Sequence, residues 1–451
     1  MRENMMLKLS VFMSPTGGHS GGWRHPDAVM DAGYNFDRWV EFARIVERGK
    51  LDMMFLADGN GVNGIEDRDL LSRNPVVRPA VIEPICLLSA LATHTSRVGL
   101  VATATTTYDQ PYSVARRYAG LDWVSKGRAG WNVVTTSNAN DSQNFSRDEH
   151  VEHADRYARA DEFVSVVKDL WDSWADDTFT FDKAEGVFLD AEKIRLIEHE
   201  GANFKVRGPL NSARPPQGHP VIVVAGASPA AIDLAANHAD VIFTVTETKE
   251  AAQEFYAKVK AAARAKGRDP DTLKVFPGAS IFVGETAEEA EASYRELQEL
   301  IPDDVGMKML GKMCGVDLTG YSPEDSLPEL PETLGIRSFR NLVADIAQRD
   351  GANLRELYQK ILPARGHVLI KGSAAQVVDV MEEWYRDKAC DGFNLVAPYL
   401  PAGLERVVDL VIPELQRRGL FRTEYEGTTL RDSLGLGHVP NPYFEQVQAA
   451  E

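Results

Sequence analysis

Cysteine is scarce in this chain. There are three in 451 residues, Cys86, Cys314 and Cys390, far apart and without a CxxC pair. That spacing points to neither a disulfide framework nor a cysteine zinc site. Positive charge is also short: 49 Lys and Arg stand against 67 Asp and Glu, a net charge of −18. Nucleic acid and anionic membranes call for basic surfaces, so neither is expected as a partner. No apolar run reaches membrane-spanning length. The opening MRENMMLKLSVFMSP has no long apolar core of the signal-peptide kind, and a cytoplasmic protein is expected. No GxGxxG follows the first apolar run, no GxSxG occurs, and no carboxylate–histidine cluster has metal spacing. These gaps weigh against a Rossmann dinucleotide site, a serine hydrolase and a metal centre.

What is present reads as an ordinary globular chain with a large core, 44% hydrophobic and 26% charged. Short apolar runs at 7–13, 53–58, 98–106, 129–136, 220–228, 240–245, 274–284 and 392–398 read as eight buried parallel strands. Helical periods follow nearly all of them, at 36–50, 82–95, 112–126, 154–174, 230–238, 249–266, 287–300 and 404–418. Eight such repeats predict an α/β fold, a (β/α)8 TIM barrel. Length and pattern allow residues 1–451 to form one barrel domain with two insertions. One, at about 178–216, alternates polar and apolar residues and is expected to be β-rich. The other, at about 301–371, is rich in Pro, Gly, Met and Leu, with helices at 337–348 and 354–362.

Barrel sites are built from strand C-termini, and several polar residues fall there. Asp58 ends the second strand, Thr103 lies in the third, and Asn132 in the fourth, followed by Thr135, Thr136 and Asn138. His153 and Tyr157, four apart at the start of a helix, point the same way. Ala225, Gly226, Ala227 and Ser228 precede Pro229: a glycine for close approach, an N-cap serine and a proline at the first helical position. Free N–H groups at such a helix start bind phosphate, although an ordinary capped helix would carry the same residues. The loop SPTGGHSGGWRHPDA holds His19, Trp23 and His25, which either line a substrate cavity or fold that loop over the barrel mouth. No acid–base pair stands out, and no catalytic residue is assigned. A chain with hydrogen-bonders and a phosphate cradle but no such pair suits an enzyme whose cofactor does the hard chemistry.

The segment GRAGWNVVTTSNANDSQNF…HADRYARADEF…LWDSW resembles the signature of the nitrilotriacetate monooxygenase and dibenzothiophene-sulfone monooxygenase family of flavin-dependent, bacterial luciferase-like enzymes. So do GGWRHPDA, RGKLDMMFLADG, IEPICLLSALATHT, YDQPYSVARR, VRGPLNSARPPQGHPVIVVAGASPAA and RRGLFRTEYEGTTLRDSLGL, nearly end to end. The resemblance implies a two-component monooxygenase on a TIM barrel, a dimer or tetramer. Reduced FMN would come from a separate NAD(P)H:FMN oxidoreductase, and dioxygen would add at the flavin C4a carbon to give a peroxyflavin. It implies flavin binding at Asp58, Thr103, His153, Tyr157 and Ser228, with Asn132 and the 225–228 backbone adjoining. Tyr157 and Ser228 would take the phosphate; Asp58, Thr103 and Asn132 the ring and ribityl chain. Asn138 would reach toward substrate. The substrate itself does not carry over. Arg24, Arg73, Arg78 and Lys371 could serve an aminopolycarboxylate, whereas Trp23, Met307, Met309 and Met313 tilt toward an apolar or thioether-like compound. A deazaflavin-dependent dehydrogenase on the same barrel, or a non-catalytic flavin-binding protein, are the alternatives.

Overall fold

The structure, a computed structural model, describes residues 6–74, 80–136, 138–330, 337–364 and 366–444, without the side chains of 337–339 and 341–342. Among them run thirteen strands: β1 (Lys8–Met13), β2 (Met53–Leu56), β3 (Gly99–Thr105), β4 (Ala129–Val134), β5 (Phe179–Asp182), β6 (Val187–Leu189), β7 (His199–Glu200), β8 (Lys205–Val206), β9 (Val221–Ala225), β10 (Val241–Thr244), β11 (Lys274–Gly284), β12 (Val368–Ser373) and β13 (Gly392–Val396). Eight of these close a ring, β1-β2-β3-β4-β9-β10-β11-β13 and back to β1, every pair parallel. The barrel forms because these strands are short, apolar and buried on both faces, and each feeds a helix that covers the outside.

The alternation of side chains along each strand divides the core in two. Outward residues pack against the helices in one large cluster. Inward residues, among them Met53, Phe55, Val101, Val223, Val241 and Phe276, form a second cluster that Leu430 and Leu434 of the C-terminal tail join. The tail enters from the N-terminal end of the strands. A Cβ on Gly99, the first residue of β3, would fall 2.4 Å from Leu430 Cδ1, so glycine there makes room for the plug.

The eight strands read from sequence are the eight of the ring. A ninth, β12, begins inside the stretch read as the second insertion, at about 301–371, and stands outside the ring. Ala279 and Ser280 of β11 pair with both β12 and β13, so β12 takes the edge of β11 that β10 leaves free. Its sequence, VLIKGS, has one side only partly buried, unlike the continuous apolar runs elsewhere. The helix Ala374–Arg386 that follows, with its Ser373–Gln376 capping box, was missed with it. The helix Asp303–Cys314 was also missed, because Gly306 and Gly311 lower helical propensity. Both serve packing: a Cβ on Gly306 would lie 2.6 Å from the Tyr358 ring, and one on Gly311 2.5 Å from the Val316 carbonyl. Cys390 lies in the turn entering β13. The 178–216 stretch folds as two antiparallel pairs, β5–β6 and β7–β8. Among the described residues, no helix is long and apolar enough to cross a membrane.

Candidate functional site

At the C-terminal end of the barrel, the strand-end polar residues converge. In β3, the Thr103 hydroxyl donates to the Leu56 carbonyl at 2.7 Å and accepts from Asn132 Nδ2 at 2.8 Å. These two residues are register partners on β3 and β4, so both face inward. Asn132 is buried, and its Oδ1 has no partner among the described residues. An orphaned acceptor in the core costs stability unless a ligand meets it.

Two elements supply the other side. The helix His153–Trp171 brings Tyr157, with the His153 ring 4.9 Å away between centroids. β9 ends at Ala225, and Gly226 follows with φ +142, a conformation that favours glycine. A Cβ there would lie 3.0 Å from Ala231 Cβ and 4.0 Å from the Tyr157 hydroxyl. Ser228 then caps the helix Pro229–His238: its Oγ accepts from the Ala231 N–H at 3.1 Å, leaving its O–H proton free to point at an anion. A bare backbone bend, a helix N-terminus, a serine and a tyrosine hydroxyl make a cradle of hydrogen-bond donors fit for a phosphate.

Asp58, Thr103, Asn138, Tyr157 and Ala225 line one cavity of about 450 Å³, together with Glu83, Asp109, Arg117 and Asp141. A second cavity of about 820 Å³ shares Asp58, Gly59, Asn60, Asn63, Asn138 and Asp141 with it and extends outward to Glu66, Asn140 and Asn144. Asn138 caps the turn Ala139–Phe145 and donates to Asp141 Oδ1 at 2.6 Å. It is thereby held on the wall common to both cavities.

The N-terminal loop does not reach these cavities. His19 is fully buried: its Nδ1 accepts from the Gly21 N–H at 3.0 Å, and its ring stands edge-on to Phe282. Burial pushes its imidazole down to about 3, so it stays neutral. His25 stacks on Tyr399 at 4.1 Å, and Trp23 sits half-buried in the single turn Gly22–Arg24. The candidate cations are tied up elsewhere. Arg24 donates to the Leu300 carbonyl, Arg73 pairs with Asp304, and Lys371 with Glu291; Arg78 lies outside the described residues. Met307 and Met309 are buried among the apolar residues of the helical insertion, with Met313 packed against them.

Sequence reasoning missed Asp109 and Arg117, which line the smaller cavity, and the cluster around Tyr108, the residue before Asp109. Tyr108 hydrogen-bonds His150 Nδ1 at 2.7 Å and stacks on Phe145 at 4.7 Å, while Arg156 meets the other nitrogen of His150. Burial raises Asp109 above the ordinary carboxylate range despite its 2.7 Å pair with Arg117. The signal was available: Tyr108 and Asp109 directly follow a strand end and precede a Pro-started helix.

Known proteins share this arrangement of chain. The sequence profile of the luciferase-like monooxygenases matches residues 12–387. The chain belongs to that family. It is 48% identical to the N-acetyl-S-(2-succino)cysteine monooxygenase of Bacillus subtilis (strain 168), over 98% of this chain and 99% of that protein. Component A of the nitrilotriacetate monooxygenase of Aminobacter aminovorans is 46% identical over the same shares. The crystal structure of DmoA from Hyphomicrobium sulfonivorans superposes with a TM-score of 0.85 at 30% identity, covering 95% of this chain and 92% of that one. This luciferase-like protein is an FMN-dependent monooxygenase of the two-component kind, and its TIM barrel is that of the family.

Proposed function

We propose that this chain is an oxygenating component that takes reduced FMN from a separate NAD(P)H:FMN oxidoreductase. With dioxygen it oxygenates a small sulfur-, nitrogen- or carbon-containing compound of catabolic or xenobiotic origin. The observation that carries the flavin reading is the convergence of the Tyr157 hydroxyl on the Gly226 bend beside the Ser228-capped helix. Reduced FMN held there would supply the two electrons with which dioxygen gives one oxygen atom to the substrate and the other to water.

The protein's residues bind, orient and exclude water. Tyr157, His153, Ser228 and the 225–228 backbone hold the phosphate through donors aimed at one point. Asp58, Thr103 and Asn132 meet the ribityl chain and ring, the Asn132 Oδ1 finding there the partner it lacks among the described residues. Asn138 and the outer cavity face the substrate. Phe12, Phe55 and Phe243, within 5.7 to 6.5 Å of one another, keep the barrel beneath dry. We also read residues 1–451 as one domain with the two insertions, in a cytoplasmic homo-oligomer.

Fluorescence titration of FMN, followed by stopped-flow mixing of photoreduced FMN with air, tests the reading. The expected result is saturable binding and oxygen-dependent flavin turnover that a substrate screen converts to monooxygenated product. Hydride transfer without oxygen consumption would sink it, and so would a protein that binds no FMN.

A further inference from the structure

One histidine reaches the barrel interior from outside the strands. His367 immediately precedes β12, yet its imidazole lies against Gly278 of β11. A Cβ built at position 278 would fall 2.3 Å from His367 Nδ1. Phe276, two residues earlier, belongs to the interior cluster, so Gly278 faces the same way. The loop histidine thus occupies the interior space that position 278 leaves empty.

Its surroundings connect it to the flavin cradle. The His367 ring packs on Phe243, 5.6 Å between centroids. Phe243 is the register partner of Ala225, and its carbonyl accepts the Gly226 N–H at 3.1 Å. Around the ring of strands, β11 stands four places from β3, so His367 enters from the side of the barrel opposite Thr103.

We propose that His367 is a further residue of the flavin site, meeting the ring portion of bound FMN from the β11 side and hydrogen-bonding it. This rests on the flavin reading above. Two substitutions separate chemistry from packing. His367→Phe keeps an aromatic ring on Phe243 and removes both nitrogens; Gly278→Ala keeps the imidazole and displaces it. Each is expected to weaken FMN binding about tenfold, the size of one hydrogen bond to a polar or charged group. The double variant should be little worse than either single, because both remove the same contact. In the wild-type protein, the His367 ring resonances, assigned with the His367→Phe variant, should move on titration with FMN.

Wild-type FMN affinity in His367→Phe, together with ring resonances that do not move, would overturn the proposal. If Tyr157→Phe weakens FMN binding in the same series, the flavin reading survives that failure. If the wild-type chain binds no FMN, both fall.

Discussion

The two ends of the barrel treat buried polar groups in opposite ways. At the N-terminal end, an aspartate just before a strand accepts the N–H of a neighbouring strand: Asp52 from Leu9, Asp240 from Ile222, Asp391 from Val275, at 2.6 to 2.9 Å. Each also meets a cation, Arg422, Arg431 and Lys260 respectively. One Arg422 nitrogen is the exception among these groups in lacking a partner among the described residues. At the C-terminal end, the Asn132 Oδ1 and the hydroxyls of Ser14, Ser20, Thr244 and Ser280 are buried without partners among the described residues. Arg422 and Arg431 tie the tail plug to Asp52 and Asp240, whereas the groups at the other end carry no such pair. Stability resides at one end and chemistry at the other, the division expected of this barrel.

The sharpest way to break that contrast is to cut a bottom pair. Arg431→Ala leaves Asp240 buried with its ion-pair partner gone and only the Ile222 N–H and the charge of Arg268 to offset it, and should cost about 3–5 kcal/mol in denaturant unfolding. FMN affinity of the folded fraction should stay unchanged; a parallel loss of flavin binding would erase the distinction between the ends. Next in size, the Tyr157→Phe, Ser228→Ala double variant should lose about 2 kcal/mol or more of FMN binding, two hydrogen bonds to a charged group. Its stability should fall by only about 1 kcal/mol, the worth of the Ser228 cap. Unchanged affinity would refute the phosphate cradle.

A smaller effect is expected at Asn132. Asn132→Leu removes an orphaned acceptor, so thermal unfolding should move by less than about 1 kcal/mol while FMN affinity drops several-fold. Destabilisation by several kcal/mol with intact flavin binding would make Asn132 a structural residue. The subtlest test is pH. Burial pushes Asp240 up, but Arg431, the Ile222 N–H and Arg268 together outweigh it and hold the carboxyl below its ordinary value. Its contribution to stability is therefore present above the unfolded pKa of about 4 and is lost as pH falls below that, through the lower folded value. Asp240→Asn should flatten the acid side of the stability curve in urea melts at pH 2–5, and a slope equal to wild type would show that Asp240 does not drive it.

The ring of eight strands was legible because buried parallel strands write themselves as continuous apolar runs, as in Val221–Ala225. The cradle was legible for a local reason: Gly226, Ser228 and Pro229 each have one conformational job, and the three stand in order. Asp58, Thr103, Tyr157 and Asn138 were legible because strand ends and helix starts mark the mouth. His19, Trp23 and His25 stand in the loop that follows the first strand, which is read either as cavity lining or as a fold over the barrel mouth; the two cavities are lined mainly by the loops after β2, β3 and β4. The helix Asp303–Cys314 escaped because its glycines answer to Tyr358 and Val316, contacts that are distant or hidden from propensity.

By itself, the sequence determined the barrel and the family, since both are written in patterns along the chain: hydrophobic period, caps and ordered motifs. Only the tertiary structure decided that Leu430 plugs the base through the gap at Gly99, that His19 is buried and neutral, and that His367 fills the space over Gly278. Those facts join residues 89 to 331 positions apart, and nothing in either partner's neighbourhood announces the other. Packing puts a missing side chain in one strand opposite a large one from a remote segment, and that complementarity exists only in three dimensions.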